Sequence, residues 1–584
     1  MSPFSLNQIF KIFWKKVLLN YKFKLSISIV IIFFAAFAEL LTLTAILPFL
    51  SILSDPEMIF NDVRFSTAIN LLGASSGKDL ILPFTIIFCV VAGLGTIVRL
   101  TANYTAMRLA FSIAHQLSTT IYGNVLKRSY SNHISSNSNE VIATLTSKLE
   151  RVVFSLVLQS FLLLTAVIIS FIILAMLIYI NPVLTLGVAL VCGLFYGLVI
   201  LLINKLLLSE SKTIAQAYTK RVKTIRESLG GIRDVFINNA RDFYYSTFQT
   251  TDYKLRRGQA INMFASMSPR FLIEAIGLIT IVISAYYLSK QTSFIDSIPM
   301  LGLLAISAQK LLPLFQQLYV AWTAIKGDYE SLQDITSLLN ESSEVSSHSS
   351  RYEPIVFHDS IELRDITFAH DGDNPVLFQN LDLQISRGDR IGIIGKTGSG
   401  KSTFVDIVAG LLFPSTGGVY IDDIKLNQGN AGSWMNSVAY VPQNIFLSDE
   451  SILENIVIGN SKDNIDLDLA FSSLKCACLE DFISSLPKGI HTKVGERGIK
   501  ISGGQRQRIG IARAIYKKAK FIIFDEATSA LDSSTEDEVM NSIYQMDKNI
   551  TMLVIAHRTS TLKNCNKIIR IKNSLIETIS SSEL

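Results

Sequence analysis

The sequence predicts a bundle of six long membrane-spanning helices joined to a soluble α/β domain. Three observations carry this prediction. Six apolar spans, each about 20 residues or longer, fill the first half of the 584-residue chain. A polar, serine-rich stretch, ESSEVSSHSS at 341–350, follows them and is typical of a linker. After it, short apolar strands alternate with helical patterns and glycine-rich turns, which indicates an α/β domain.

The apolar spans are long enough to cross a bilayer. A helix rises about 1.5 Å per residue, so about 20 residues cross roughly 30 Å of hydrocarbon. One such span could be the buried helix of a soluble protein, but six in a chain with 49% hydrophobic residues exclude that alternative. The predicted spans are residues 25–53, 81–103, 152–180, 183–207, 271–289 and 297–325. We therefore predict a transmembrane domain at 1–335, a linker at 336–355 and a second domain at 356–584.

Basic residues indicate how the spans are oriented. Residues 1–24 contain five lysines and no acidic residue, and the segment from Lys205 to Arg257 contains eleven Lys or Arg. Because positive charge is retained inside, the N-terminus and the long loops 104–151 and 208–262 are expected in the cytoplasm. Both loops have helical patterns, so the helices are expected to continue well beyond the bilayer.

Charge and cysteine usage argue against two other classes of protein. The net charge of +5 is modest and the basic residues form no single stripe, which argues against nucleic-acid binding. Cys476 and Cys478 form a C-x-C pattern instead of the paired spacing of a zinc site, so the five cysteines are expected to be reduced structural thiols. A cleavable signal peptide is not evident, because a basic, aromatic segment leads directly into the first span.

A glycine-rich loop stands between a strand and a helix start in RIGIIGKTGSGKSTF. The pattern G-x-x-x-x-G-K-[ST] fits Gly395 to Ser402. Its glycines let backbone N–H groups close around phosphate oxygens, and the helix N-terminus adds a favourable dipole. Lys401 would reach the β- and γ-phosphates, and the Ser402 hydroxyl would bind Mg²⁺. The candidate phosphate-binding residues are Gly395, Lys396, Thr397, Gly398, Ser399, Gly400, Lys401, Ser402 and Thr403.

Two acidic residues end a second apolar run, in FIIFDEA. The run reads as a buried central strand, which places Asp525 and Glu526 at its C-terminal tip. Asp525 would hold Mg²⁺ directly or through water, and Glu526 would polarise the attacking water in phosphoryl transfer. A helix N-cap is the alternative, but the position downstream of a phosphate-binding loop favours hydrolysis.

The segment KISGGQRQRIGIARA carries the most specific pattern. Residues 501–505 resemble the LSGGQ signature of ATP-binding cassette (ABC) transporters, with Ile501 in place of leucine. VGERG at 494–498 is similar to a loop typical of exporters, and SALD, ending at Asp532, is similar to the D-loop of the family. This resemblance covers nearly the whole chain and implies that the second domain is a cytoplasmic P-loop ATPase.

The resemblance also implies roles for single residues. Gln443, in YVPQN, would bind Mg²⁺ together with Ser402 and Asp525 and would link the metal to the membrane domain. His557, in IAHR, would contact the γ-phosphate, so that the catalytic residues are Glu526, His557 and Gln443.

One position departs from the family pattern. A tyrosine of the family usually stacks on adenine, whereas ITFAHDG places His370 there. Imidazole has a smaller π-face than phenol, and comparable base–aromatic stacking is worth about 1–3 kcal/mol. A weaker preference for adenine is therefore expected.

The resemblance implies a second cassette. In this family each ATP lies between the P-loop of one cassette and the signature of the other, where Ser502 and Gly504 would contact it. The chain has one P-loop and one signature, and a symmetric homodimer is the simplest assembly that pairs them. A heterodimer is the alternative, although this cassette contains every catalytic residue.

Three basic residues lie where hydrocarbon is expected. Arg99 is late in an apolar run, Arg270 opens the fifth span, and Lys310 lies inside the sixth. Snorkelling would explain the two arginines, an ion pair with Glu39 or Glu274 would explain Lys310, and Arg270 could pair with Glu274 at i, i+4. In the functional interpretation all three face a cavity open to the cytoplasm and bind an anionic group.

A second resemblance favours the functional interpretation. FAELLTLTAILPF, IVRLTANY, SPRFLIEAIG and AQKLLPLF are similar to the membrane helices of bacterial lipid-linked oligosaccharide flippases of the protein N-glycosylation type. That family has basic residues at the positions matching Arg99, Arg270 and Lys310. It also has an external helix after the first span, which residues 61–74 would form; an ordinary linker is the alternative. The implied substrate is a polyprenyl diphosphate carrying a glycan, with its tail in membrane lipid.

The expected function is therefore that of an ATP-driven flippase in the bacterial inner membrane, moving this lipid-linked glycan outward from the cytoplasmic leaflet. Export of peptides, hydrophobic drugs or other lipids is the alternative. The first span starts near residue 25, so an N-terminal peptidase domain is not expected. Six spans and Glu526 argue against a non-transporting ATPase such as a DNA-repair cassette.

Overall fold

The structure is a computed structural model in which contacts divide the chain into two units. The first contains Met1–Lys127 and Ser136–Ser342, and the second contains Arg128–Ser135 and Ser343–Leu584. The described residues are 6–16, 18–60, 75–135, 138–180, 182–289, 294–340, 354–369, 376–459, 464–546, 549–556, 558–572 and 574–579. The segment predicted as an external helix (61–74), His370 and His557 lie outside them.

The first unit is helical. Its α-helices are α1 (Leu6–Lys16), α2 (Lys22–Ser54), α3 (Pro56–Phe60), α4 (Ile81–Leu126), α6 (Ser138–Ala143), α7 (Leu149–Val152), α8 (Gln159–Ile180), α9 (Pro182–Gly230), α10 (Ile232–Ile237), α11 (Arg241–Ser289), α12 (Phe294–Gly327) and α13 (Tyr329–Asn340); α5 (Tyr130–Ser135) belongs to the second unit. Helix α13 runs into the segment 336–355 that the sequence predicts as a linker.

Six long helices, α2, α4, α8, α9, α11 and α12, overlap the six predicted spans. Helix α8 begins at Gln159, seven residues after the predicted start at 152, because the end of α7 and a π-helical stretch occupy residues 152–158. Helices α4, α9 and α11 extend far beyond their spans, as the helical patterns of the two long loops predict. Among the described residues, three helical stretches are long and apolar enough to cross a membrane by length and composition: Leu19–Ser54, Gly77–Leu126 and Glu140–Ile180.

Helix α2 is central in the first unit, because it packs against α4, α8 and α12. Leu43 on α2, Ile173 on α8 and Leu303 on α12 share one buried apolar cluster. Gly95 on α4 allows a close approach to α2, since a β-carbon at that position would lie 2.9 Å from Thr42 Oγ1. This tight crossing lies about one helical turn from Glu39 on α2 and Arg99 on α4.

Two π-helical stretches, Thr144–Lys148 and Val153–Leu158, flank α7. Lys148 is buried and forms an ion pair with Asp334 on α13, and Arg151 forms one with Asp328 next to that helix. The two acids lie on or beside one short helix, so the pairs attach the π-helical region to α13. Sequence periodicity predicted neither feature.

The second unit contains two β-sheets. The strands are β1 (Ser360–Phe368), β2 (Phe378–Ser386), β3 (Arg390–Gly395), β4 (Thr416–Ile421), β5 (Ile424–Lys425), β6 (Val438–Val441), β7 (Phe521–Asp525), β8 (Thr551–Ile555), β9 (Lys567–Lys572) and β10 (Leu575–Ile579). The helices are α14 (Lys401–Val408), α15 (Ala431–Ser437), α16 (Ile452–Ile456), α17 (Leu467–Cys476), α18 (Glu480–Ser485), α19 (Gly503–Tyr516) and α20 (Ser533–Met546).

The larger sheet brings distant sequence segments to one edge. Its order is β10-β9-β3-β8-β7-β6, and all strands from β9 to β6 are parallel. Ile555 on β8 stands opposite Ile393 on one side and Asp525 on the other. The loops after β3, β6, β7 and β8 therefore leave from the carboxyl ends of neighbouring strands, which is where open parallel sheets bind ligands. The smaller sheet, β2-β1-β4-β5, is antiparallel.

Candidate functional site

The loop after β3 has the backbone that a phosphate-binding loop requires. Gly398 and Gly400 have φ values of +81° and +96°, which glycine adopts without a steric penalty. At Gly400 a β-carbon would also lie 2.9 Å from the Phe378 ring, so glycine is required there on two grounds. Gly400 is the N-cap of α14, and the loop therefore delivers the chain directly to a helix N-terminus.

The Lys401 side chain folds back over this loop. Its Nζ donates to the carbonyl oxygens of Gly395 at 2.8 Å and Lys396 at 3.1 Å. The first backbone N–H groups of α14 lack intrahelical acceptors because they belong to the first turn, which suits an anion. Ser399 Oγ is buried without a hydrogen-bond partner among the described residues, as expected at a site completed by phosphate. Gly395 to Thr403 thus form one cradle that fits a nucleotide phosphate.

Asp525, at the end of β7, is buried beside the start of α14. It accepts a hydrogen bond from Tyr440 Oη at 3.0 Å, and the Ser402 hydroxyl hydrogen-bonds to it as well. Burial raises the pKa of Asp525, and the negative charge of Glu526 acts in the same direction. A hydroxyl and a carboxylate held together in this way are oxygen ligands suited to Mg²⁺, which would neutralise the buried acid. Tyr440 was not predicted from the sequence.

Glu526 follows Asp525 in an unusual backbone conformation. Its φ is +49°, in the left-handed region that residues other than glycine rarely adopt. Its N–H donates to Ile555 O at 3.0 Å, which holds this conformation against β8. Its Oε2 accepts a hydrogen bond from Gln443 Nε2 at 2.7 Å. The structure therefore brings together Glu526 and Gln443, two of the three predicted catalytic residues, beside the predicted metal residues Asp525 and Ser402.

Gln507, which the sequence analysis did not single out, holds the turn after Glu526. Its Nε2 donates to Ser529 Oγ at 3.0 Å, and its Oε1 accepts from Ala530 N at 2.9 Å. It is buried on the same face of α19 as Ile511 and Ala514. A glutamine on an apolar helix face is the sequence signal that could have identified it.

The signature segment caps α19. Ser502 is the N-cap, its Oγ accepts from Gln505 N at 3.2 Å, and Gln505 Oε1 accepts in return from Ser502 N at 2.8 Å. This capping box orders the N-terminus of a 14-residue helix whose first two residues are Gly503 and Gly504. Ser502 and Gly504 thus lie at a helix N-terminus that attracts anions. Among the described residues no hydrogen bond joins them to the phosphate loop of their own chain.

The pKa of Asp406, on α14, is affected by the charge of the site. Burial, with a contribution from the charge of Asp525, raises its pKa to about 6. The folded protein thus holds this proton more tightly than the unfolded chain, so Asp406 favours folding below pH 3.8, and this contribution is lost as the pH rises through about 6.

Asp406→Asn is therefore expected to raise the free energy of unfolding at pH 8 by about 1 kcal/mol, a value discounted because the carboxyl is partly accessible to solvent. The gain should shrink as the pH falls towards 4. Thermal unfolding of the full chain in detergent at several pH values measures this effect, with Asp423→Asn, an exposed aspartate, as control. A gain that does not change with pH would contradict the assignment.

The three basic residues predicted to bind substrate are all paired with acids. Lys310 Nζ lies 2.7 Å from Glu39 Oε1, and Arg99 Nη1 lies 3.9 Å from the same oxygen. Arg270 Nε donates to Glu274 Oε1 at 2.7 Å on one face of α11. Of the two acids considered for Lys310, Glu39 is the partner. The structure thus brings Arg99 and Lys310 together, whereas Arg270 belongs to a separate pair.

Two family models match the chain. The model described as ABC transporter matches residues 378–529, and the model described as ABC transporter transmembrane region matches residues 28–309. The first match contains the phosphate loop, Gln443, the signature and Glu526, and the second contains Glu39, Arg99 and Arg270. The two matches thus fall on the two kinds of domain that the sequence predicts.

Curated relatives fall into two groups. The ATP-dependent lipid A-core flippases of Paraburkholderia xenovorans and Francisella novicida are each 30% identical, over 62% and 65% of this chain and 60% and 64% of their own. The alpha-hemolysin translocation ATP-binding protein HlyB of Escherichia coli O157:H7 is 40% identical over 37% of this chain and 30% of its own. The chain therefore spans less than two thirds of the length of these relatives.

A solved structure extends the likeness to nearly the whole fold. A bacterial Atm1-family ABC exporter with ATP bound superposes with a TM-score of 0.80 at 20% identity, over 96% of both chains. This agreement confirms the predicted fold class, a helical transmembrane domain fused to a C-terminal nucleotide-binding α/β domain. The chain thus matches ABC transporters in both of its domains, and its fold is that of an ABC exporter.

Proposed function

We propose that this chain is one half of an ATP-driven flippase that moves an anionic amphiphile, a polyprenyl-diphosphate-linked oligosaccharide, outward from the cytoplasmic leaflet. The observation that carries the proposal is the placement of Arg99 and Lys310 at one carboxylate oxygen among membrane helices. Ionisable groups at such positions usually face protein or water and mark a substrate path, because lipid exposure costs at least about 2.5–3.5 kcal/mol.

ATP hydrolysis is the energy source in this proposal. The phosphate loop binds and orients the triphosphate, and Lys401 exchanges its loop carbonyls for phosphate oxygens. When bound, Mg²⁺ neutralises charge that develops on the phosphates, and Ser402, Asp525 and Gln443 are the residues that would hold it. Glu526 accepts a proton from the attacking water, and its hydrogen bond from Gln443 orients the carboxylate for that role.

The signature geometry supports a homodimer. Ser502 and Gly504 stand at a capped helix N-terminus that would receive the γ-phosphate of an ATP held by a second copy. By the resemblance, His557 would contact the γ-phosphate and His370 would stack on the adenine; both lie outside the described residues. The distribution of basic residues supports an inner-membrane location with the N-terminus and the ATPase domain in the cytoplasm.

A lipid substrate is also supported by the relatives. The two lipid A-core flippases match this chain over more than three fifths of its length, whereas the hemolysin translocation protein matches over 37%. Export of peptides or hydrophobic drugs is the second candidate. A putative multidrug export protein of Bacillus subtilis, 37% identical over 37% of this chain, is the observation that favours it.

Substrate-stimulated ATPase activity tests the proposal. The full chain is reconstituted in nanodiscs and titrated with polyprenyl diphosphate glycan, the corresponding uncharged polyprenol, peptides and hydrophobic drugs. We expect the diphosphate lipid to stimulate ATP hydrolysis several-fold and the polyprenol to have no effect, because only the diphosphate lipid carries negative charge that Arg99 and Lys310 can bind. Stimulation by peptides or drugs, without a response to the diphosphate lipid, would favour the second candidate.

A further inference from the structure

Glu39 is the acid that two cationic residues of the predicted spans, Arg99 and Lys310, approach. It lies on α2, Arg99 lies on α4 and Lys310 on α12, so the cluster joins three helices of one unit. The Glu39 side chain is 8% exposed, whereas that of Lys310 is 25% exposed and that of Arg99 is 48% exposed. The acid is therefore buried, and both cations are more exposed than the acid.

The two cations are held unequally. Lys310 Nζ is in direct contact with Glu39 Oε1 at 2.7 Å, but Arg99 Nη1, at 3.9 Å from the same oxygen, is beyond hydrogen-bond distance. Among the described residues, the Arg99 guanidinium makes no hydrogen bond. Glu39 thus neutralises Lys310 and leaves the donor fork of Arg99 available, and the cluster keeps one net positive charge.

The backbone around the cluster is fixed by packing. Helices α2 and α4 approach closely at Thr42 and Gly95, about one turn away. Thr42 itself is tied to its own helix by a 2.8 Å hydrogen bond from its Oγ1 to Ala38 O. The backbones of α2 and α4 next to Glu39 and Arg99 are therefore closely packed.

We propose that Glu39 is a built-in competitor for the anionic headgroup of the transported lipid. Glu39 pairs with Lys310 when no headgroup is bound, and the pair forms again when the headgroup leaves. A headgroup of low charge does not displace Glu39 from Lys310. Two cations that lie 2.7 Å and 3.9 Å from one carboxylate oxygen are also close enough to contact one phosphate group. Glu39 then determines how much negative charge a headgroup must carry, and a diphosphate passes this threshold where a monophosphate does not. This inference rests on the proposed function.

Glu39→Gln tests the proposal, because removing the competitor and merely weakening the helix bundle have opposite effects. The full chain in nanodiscs is titrated with polyprenyl diphosphate, polyprenyl monophosphate, uncharged polyprenol and inorganic pyrophosphate, and its ATPase activity is measured. We expect the concentration of diphosphate lipid that gives half-maximal stimulation to fall about ten-fold. The reason is that the headgroup is no longer repelled by the negative charge of Glu39. The monophosphate should become a stimulator of ATP hydrolysis, and maximal translocation, measured in proteoliposomes, should fall because Lys310 no longer regains its partner. Stimulation by pyrophosphate alone would identify the ligand as a free phosphate and overturn the lipid assignment.

Asp252→Asn is the matched control. Asp252 is also an acid shared by two cations of the same unit, with Arg221 Nη1 at 3.2 Å and Arg256 Nε at 3.6 Å. Its loss removes a comparable pair outside the predicted spans, so the response to lipid should not change. A similar fall in half-maximal concentration in both variants would overturn the role of Glu39.

A second variant keeps the test decisive if Glu39→Gln folds poorly. In Glu39→Gln with Lys310→Met both partners are neutral, so no unpaired charge is left in the bundle, and only Arg99 is available to the headgroup. The half-maximal concentration should return to the wild-type value or exceed it. If it stays low, the freed Lys310 is not the cause and the proposal fails. A wild-type protein that responds to no charged lipid would instead refute the proposed function itself.

Discussion

Glu526→Gln is expected to retain ATP binding and to lose hydrolysis by about 100-fold or more, the usual contribution of a general base. The amide oxygen of the new glutamine can still accept the hydrogen bond that Gln443 donates at 2.7 Å. The phosphate cradle and Asp525 are unaltered. The geometry is therefore preserved, and only the group that takes the proton is removed.

The measurement is the rate of phosphate release from purified protein, together with the affinity for ATP. Glu450→Gln, an exposed acid in the same domain, is the control for loss of one negative charge. Glu526→Gln should also accumulate as a closed, ATP-bound dimer, because hydrolysis no longer opens the dimer. Near-normal turnover would show that another residue accepts the proton.

Arg270→Ala has the second largest expected effect. Translocation of a diphosphate lipid should fall by about ten-fold or more, the equivalent of one lost phosphate contact. ATP hydrolysis without lipid should change much less. The pair of Arg270 with Glu274 is half-exposed, with side chains 51% and 42% accessible, and an exposed i, i+4 pair contributes only about 0.3–0.5 kcal/mol to stability. Loss of translocation would therefore not be explained by unfolding.

The same helix provides the control. Arg256 also pairs at i, i+4 with an acid, Asp252, at 3.6 Å, and Arg256→Ala should leave translocation near the wild-type rate. Lysine at position 270 should restore only part of the loss, because it keeps the charge without the bidentate fork. If Arg270 serves only to pair with Glu274, then Glu274→Ala will be equally damaging, and neutralising both will restore transport.

Much of the fold could be predicted because it is encoded locally. The apolar spans predicted the six long helices, and the helical patterns of the loops predicted their extension. The phosphate loop could be predicted because its chemistry needs Gly400 and Lys401 at fixed spacing. The π-helical stretches around α7 could not, since they add one residue to a hydrogen-bonded turn and depend on the packing of α13.

The candidate site shows the same division. Glu526 was predicted because it follows a buried strand, but its partnership with Gln443 needs the neighbouring strands β6 and β7. Glu39 and Glu274 were both possible partners of Lys310, because hydropathy gives the depth of a residue and not the rotation of its helix. Tyr440 looked like an ordinary residue of a half-buried strand. Only the register of β6 against β7 brings its hydroxyl to Asp525.

The left-handed backbone at Glu526 has a consequence for how this site persists. Such a conformation costs a side-chain-bearing residue roughly 1–3 kcal/mol, and glycine adopts it without that cost. A mutation to glycine at this position would thus make the domain more stable and inactive at once. Selection for stability alone would drive the site towards silence. The strained glutamate is thus the residue expected to be replaced first if hydrolysis were not required.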